Sequence, residues 1–445
     1  MFSSRTPHRS IPRRARQTGQ ALVYGLFVLI AGLVALFFMF NTGQLTAEKT
    51  KLVNTADAVA YSAAVMHARA LNFDAYTNRA LMANEVLAAQ MVSVSSWLEY
   101  AVEHSESVTP LNCLTYYSVP LVLVMSKYEL LCAFLSVPTV PAGLEGLQQV
   151  VDGVAPVAMA VSELAKAALQ TSQLTMYASF LPARQQLLRQ VADANYAGIG
   201  PVKVDTVPLL DNYSLFDGKP FIAPYNGNDR TRFKDAETRA AYKDGFVAGR
   251  NWDSRSPWPC IPGLVRGIAN RSGSTALQGF DDWTASDSAY FRTERMRGWL
   301  LKCRGNSMSL GDGYRSAKDW GYSGVPNFFD LSSVALGYTP DNTDVNKRDP
   351  RLKFAIRLTR ANTDAATSTG TSQVKPSGRM EVFQGAEAKG VMAAVSSSEV
   401  YFERMAPNPQ GKELPSLFNP YWQAHLIATP PAVLAAAVAL QNSPP

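Results

Sequence analysis

The stretch "RQTGQALVYGLFVLIAGLVALFFMFN", Arg16–Asn41, decides how the chain is organised. No charged residue interrupts it between Gln20 and Phe40, and about 20 apolar residues in helical geometry cover the roughly 30 Å hydrocarbon layer of a bilayer. A removable secretory leader carries a shorter apolar core, about 7 to 15 residues, followed by a small-x-small boundary. Asn41–Lys51 contains no Ala-x-Ala site. The reading is a retained transmembrane helix over 20–41, preceded by a basic cytoplasmic arm over 1–19. Arg5, Arg9, Arg13, Arg14 and Arg16 precede the span and the first acidic residue is Glu48. The positive-inside rule therefore keeps the N-terminus in the cytoplasm and exports the remainder.

The charge balance agrees. The formal net charge is +6, of which the five arginines of the arm supply +5, leaving +1 for everything after Gln20. A nucleic-acid surface would need clustered Lys and Arg among aromatic platforms on the exported part, and a nearly neutral part does not provide it. The exported chain, about 400 residues, is long enough for a sizeable core and for two domains. In an oxidising periplasm the four cysteines suit two disulfides. Cys113 with Cys132 and Cys260 with Cys303 is the most local of the three connectivities they allow. No Cys-x-x-Cys is present to suggest zinc or redox chemistry.

Working outward, Gln44–Tyr100 contains neither Pro nor Gly, and Leu45, Lys49, Leu52, Ala56, Val59, Ala63 and Met66 recur at three- and four-residue steps. This predicts a long Ala-rich amphipathic helix continuing from the span. Its small side chains allow close approach of a neighbour, either within its own domain or in another subunit. The apolar island from Leu111 is interrupted by Lys127 and Glu129 and bounded by Pro120 and Pro138, so it is read as a buried helix and not a second span. Helical periodicity resumes from Gly143 to Tyr196, with Pro156 and Pro182 expected to break it into shorter helices. Gly198–Pro201 marks the end of this helical region, 42–196.

The remaining region, 197–445, is expected to be a loop-rich α+β body. "NYSLFDGKPFIAPYNGNDRTRF" and "GDGYRSAKDWGYSGVPNFFDLSS" are dense in turn formers. "LKFAIRLTRA" alternates as a half-buried strand, with "VMAAVSSSEVYFER" as its partner. The polar segment near 361–379 is expected to be flexible. "PPAVLAAAVALQNSPP" is expected to form a short Ala-rich helix. The fold class is thus α+β: a single span continuing into a helical stalk, a helical half, then the β-containing body.

Chemistry is poorly represented. His8, His67, His104 and His425 are scattered, and Glu103 and Glu106 beside His104 make no metal motif. No Gly-x-Ser-x-Gly, Walker or Gly-x-Gly-x-x-Gly sequence occurs. Asp282, Thr284 and Ser286 in "DDWTAS" echo the metal loop of von Willebrand factor A domains, but with too few visible oxygen ligands for a cation. No catalytic residue, cofactor or metal is expected.

The Arg-rich arm, the Gly-Gln junction, the span, and then "NTGQLTAEKTKLVNTADAVAYSAA" together resemble the tight-adherence (Tad, or Flp) pilus-assembly proteins of the TadE/TadG-like group. The shared run, Asn-x-Ala-Asp-Ala-x-Ala-x-x-Ala-Ala, falls on Asn54, Ala56, Asp57, Ala58, Ala60, Ala63 and Ala64, with Thr55 where Ala is frequent. The similarity covers residues 13–90 well and extends loosely to "SSEVYFER…LFNPYWQAHL", as in a TadG-related subgroup with a large periplasmic region. It implies an inner-membrane protein that serves a type IVb pilus-like system by protein contacts, its partners being the membrane and other Tad assembly proteins, with a homo- or hetero-oligomer formed through the stalk. Prepilins have Gly before the processing site and Glu at the fifth mature position. Gly19 and Gln20 fit that junction, whereas Tyr24 stands where Glu would be, which favours an uncleaved anchor and leaves cleavage after Gly19 open. Two other classes stay in view. One is an exported adhesin presenting the aromatics of 205–345, Trp283 and Trp320 among them, to a glycan; the other is an anchored hydrolase with no nominated residue.

Overall fold

The computed structural model describes residues 20–107, 126–297, 302–339, 348–368, 390–406, 409, 411 and 413–442. The architecture is α+β, and one helix organises it. Helix α1, Gln20–Ser107, runs uninterrupted for 88 residues, on the order of 130 Å at 1.5 Å per residue. Its first part is exposed, and it is the one helix among the described residues long and apolar enough to cross a membrane. Beyond Leu52 it becomes core: Leu52, Ala56, Val59, Ala60, Ala63, Leu71, Ala75, Leu81 and Ala89 are fully inaccessible.

After α2, Ser126–Leu135, helix α3 spans Thr139–Asn195 and returns antiparallel along α1, with Ser162 against Asn84, Gln173 against Asn78 and Arg184 against His67. Pro156 and Pro182 do not break it as the sequence led us to expect. Both lie on the exposed face, where water can satisfy the carbonyl that each proline leaves unpaired.

Among the described residues ten strands follow: β1 Lys203–Asp211, β2 Ile222–Tyr225, β3 Trp252–Arg255, β4 Val265–Gln278, β5 Asp282–Arg297, β6 Lys302–Ser316, β7 Phe328–Leu331, β8 Leu352–Ala361, β9 Val391–Phe402 and β10 Trp422–Ile427. They form antiparallel sheets in the orders β1-β8-β9-β10 and β3-β4-β5-β6, with β2 and β7 as a separate pair. Helix α1 passes over both larger sheets. Its Leu52–Ala63 stretch meets Phe354, Ile356 and Leu358 of β8, and Tyr100 and Ala101 meet Ala269, Ala289, Phe291 and Leu310 of the second sheet. Helix α4, Thr231–Ala241, packs Phe233 against Leu81 of α1 and Phe328.

Two expectations change. Strand β8 does pair with β9, but it is buried on both faces, because helix α5, Pro431–Asn442, places Val433 against Val207 and Ala355 on the side away from α1. "GDGYRS" is not a turn but the last part of β6. In the polar segment near 361–379, Asn362–Asp364 forms a 3-10 turn and Ser368 is buried; 369–379 lie outside the described residues. The apolar island from Leu111 is outside them as far as residue 125, and its remainder forms α2 with Tyr128 and Cys132 buried.

Candidate functional site

Four alanines of the sequence run share one face, with Ala58 half-buried on another side. Ala56, Ala60, Ala63 and Ala64 are buried, while Asn54 is exposed and Asp57 half-buried. Against the first three stand Leu188 and Ala192 of α3, Tyr196 just after it, and the apolar face of β8. Methyl side chains are what allow a helix and a sheet to approach α1 from two sides at once. The run is therefore a packing seam within the chain.

Polar contacts fasten the exit from the span. Asn41 is fully buried; its side-chain oxygen accepts from the backbone N–H of Ser368 at 2.8 Å and from the Ser368 hydroxyl at 2.7 Å. Its amide donates to Phe37 O at 2.8 Å. Lys49 donates to Ala393 O on β9. Glu48 pairs with buried Arg360 at 3.1 Å, and Arg360 also donates to Ile199 O and Asp364 O and stacks over Tyr196. Within one short stretch of α1, the sheet, the chain just beyond α3 and the 361–368 segment are all tied to the membrane-proximal end.

Further along, buried polar side chains of α1 meet specific partners. His67 donates from Nδ1 to Ala63 O at 2.8 Å and accepts at Nε2 from Arg184 at 3.2 Å; Arg184 in turn makes a bidentate pair with Asp211, at 2.9 and 2.5 Å. Burial, then the Arg184 charge, lowers the His67 pKa to about 3, so the ring is neutral. Asn78 donates to Phe329 O and Leu417 O and accepts from Gln173. Asp74 is held well above the usual carboxylate range by burial and by nearby Asp330. Glu85 accepts from Lys166 at 3.1 Å and from Tyr322, close to Glu237, whose pKa is pushed up to about 10 by burial and by Glu85. Ser96 donates to Asp287, which also holds Arg250 and Arg271. His104 lies between Tyr100 and Tyr128, its pKa lowered to about 4 by burial and by Arg271.

At the far end, α1 covers the edge of the second sheet. Glu103 accepts from Asp312 N at 2.6 Å and Glu99 from Tyr314 N at 2.9 Å, so two carboxylates one turn apart occupy the outward N–H groups of β6. Close approach is made possible by glycine. A Cβ on Gly313 would lie 2.1 Å from Ser96 O, and one on Gly311, at φ +147°, would lie 2.8 Å from His104 N.

The remaining sequence candidates are dispersed. Asp282 accepts from the Ser316 hydroxyl and Lys318 N, a closed structural role, while Thr284 and Ser286 follow on the same strand. Among the described residues no group of three or more His, Cys, Asp or Glu is placed to hold a metal ion. Trp283 is fully buried and Trp320 packs beside it in one cluster, so Trp283 has no face to offer a glycan. Cys260 and Cys303 form a disulfide; Cys132 is also disulfide-bonded, and Cys113, like Gly19, lies outside the described residues, the helix beginning at Gln20.

Residues 19–67, from the junction through the span and the alanine seam, match the family model described as putative Flp pilus-assembly TadE/G-like. This segment is TadE/G-like. No curated protein and no solved structure matches the chain. The TadE/G-like segment ends at His67, where the ladder of buried polar contacts toward α3 continues onto residues that no comparison covers. Sequence reasoning missed Arg184, Lys166, Glu237, Gly311 and Gly313. Charged residues within a helical pattern read as solvated, and Gly-Asp-Gly reads as a turn.

Proposed function

We propose that the protein is a non-catalytic, single-pass inner-membrane component of a Tad/Flp pilus assembly or secretion system, with a short basic arm in the cytoplasm and its body in the periplasm. It acts by protein contacts, presenting a rigid body at a fixed distance from the membrane to other assembly proteins. The observation that carries this reading is the continuity of α1. The TadE/G-like segment contains the span, and the same helix becomes the spine against which both sheets fold. A helix without a break transmits position and force from bilayer to body, which suits an anchor or strut better than a tethered binding module. The five arginines ahead of the span support the orientation. The disulfides of Cys132 and of Cys260 with Cys303 suit an oxidising compartment.

The test is a chromosomal deletion scored for surface pili by electron microscopy, complemented with the intact gene, with N-terminal sequencing of the protein purified from native membranes. Loss of pili restored by the gene is expected. Unchanged piliation would defeat the assembly role. A start at Gln20 would mean peptidase processing after Gly19 and a pseudopilin-like subunit, whereas a start at Met1 or Phe2 would mean a permanent anchor.

A further inference from the structure

The outward face of α3 has no function in the fold described so far. Leu147, Val150, Val154, Val157, Val161 and Leu164 follow one another at alternating steps of three and four residues, the heptad spacing of a coiled-coil seam. All six are exposed, from 49% at Leu147 to 72% at Leu164. The positions flanking the seam on one side are Gly146, Gly153 and Ala160, all exposed. A Cβ on either glycine would meet nothing. Glycine in a helix interior is unfavourable, and nothing in the chain's own packing calls for it at these places. It does permit a second backbone to come close. The acids of this stretch lie away from the seam on the helix surface: Glu145 is exposed, Asp152 pairs with Arg315 and Ser95, and Glu163 with Lys166 and Ser323.

The bilayer cannot be what covers this face. The antiparallel pairing of α3 with α1 sets the seam beside residues from about Leu87 to the end of α1, which is roughly 70 Å or more along the helix from Asn41. Next to the seam is an apolar cleft of about 380 Å³, lined by Leu87, Met91 and Val94 of α1 and Val150, Val151 and Val154 of α3, which is the kind of hole a facing aliphatic side chain fills.

We infer that this seam is where a second copy of the chain docks, with the two α3 helices side by side and parallel. The inference rests on the membrane-anchored reading. A span fixes both the polarity and the height of each copy, so identical seams face each other in register, and the absence of charge on the face lets identical surfaces meet without like-charge repulsion. In a parallel pair, like positions of the seam meet across the two-fold axis, residue 157 opposite residue 157.

The experiment uses the full-length protein in native membranes, with Val157→Cys or Gln149→Cys as the single added thiol. Gln149 is exposed on the same helix but off the seam. Mild oxidation should convert Val157→Cys to a disulfide-linked dimer about tenfold more completely than Gln149→Cys, because a disulfide needs Cα atoms within about 7 Å. The exposed double variant Val154→Asp, Val157→Asp should abolish chemical cross-linking of the otherwise native dimer while leaving the melting temperature of the solubilised protein unchanged. Equal cross-linking at 149 and 157, an adduct of another mass, or a Val157→Cys thiol shielded from maleimide in a monomer covered by its own 108–125 segment would each overturn it. Carbonate washing of the same membranes separately reports whether the protein is anchored, so failure of the seam and failure of the anchor are read independently.

Discussion

At the scale of the residue, buried ionisable groups along α1 set the pH response. Glu237 has both carboxylate oxygens buried without a hydrogen-bond partner, and its pKa is raised from 4.5 to about 10. A raised folded pKa means that its contribution is whole below the unfolded value and is lost as pH rises toward the folded one. Replacing it with the neutral isostere, Glu237→Gln, removes that loss. The variant should match the parent near pH 5 and become progressively more stable than it toward pH 8, by at most about 1.4 kcal/mol per pH unit. Denaturant titrations of the detergent-solubilised proteins at both pH values check this, and parallel curves would count against a protonated Glu237. His67 acts in the opposite sense: its folded pKa of about 3 lies below 6.5, so its contribution is whole above pH 6.5 and falls away as pH drops toward 3. Its neighbour gives a sharper test. Arg184→Ala leaves Asp211 without its bidentate partner and His67 without a donor, and should cost about 3 to 5 kcal/mol. A loss under 1 kcal/mol in the same titration would mean that water replaces the guanidinium.

At the scale of the element, the contact of β6 with α1 depends on the absence of side chains. Gly313→Ala would drive a methyl into Ser96 O and within 2.8 Å of Tyr100 N, both backbone atoms that cannot rotate away. The expected loss is at or above the roughly 1 to 3 kcal/mol of ordinary overpacking. Gly245→Ala, where the added methyl meets open space, should leave the melting temperature nearly unchanged; equal effects of the two would deny the close approach. This contact also explains what the sequence revealed and what it hid. Helix α1 was legible because Gln44–Tyr100 contains no breaker and its Ala and Leu residues keep the helical period. Strand β8 was legible through its apolar alternation, and β9 as its partner. The β4-β5-β6 sheet was not, because "SLGDGYRS" supplies glycine where the α1 backbone presses on β6 and "GIANRSGSTALQ" supplies it where Asp287 and Arg250 crowd β4, and Gly- and Ser-rich runs carry the signature of turns. The candidate site was half legible. The alanine seam stood in the sequence, whereas its partners on α3 and β8 lie more than a hundred residues away and no local pattern names them.

At the scale of the molecule, the TadE/G-like segment is not a detachable module, since its second half supplies one wall of the core. Leu52, Ala56, Val59, Ala60 and Ala63 cover Phe354, Ile356 and Leu358 on one side and Leu188 and Ala192 on the other, whereas the residues before Asn41 are exposed apart from a few half-buried ones. Two truncations separate these roles. A chain beginning at Thr42 loses the span and the Asn41 contact with Ser368 but keeps every fully buried apolar residue of α1. Exported without a membrane anchor, it should be soluble and melt cooperatively. A chain beginning at Ala68 loses six buried apolar side chains, Leu52, Ala56, Val59, Ala60, Ala63 and Ala64, together with buried Asn41, Thr55 and His67, and leaves the apolar face of β8 and the Arg184 guanidinium without cover. Exposed aliphatic strands of this kind aggregate, so this chain should be recovered as insoluble protein or be degraded. Circular dichroism melts and the soluble fraction of each chain decide the matter. A cooperative melt from the Ala68 chain equal to that of the Thr42 chain would show that the body folds without the TadE/G-like helix, and the spine would then be only a tether.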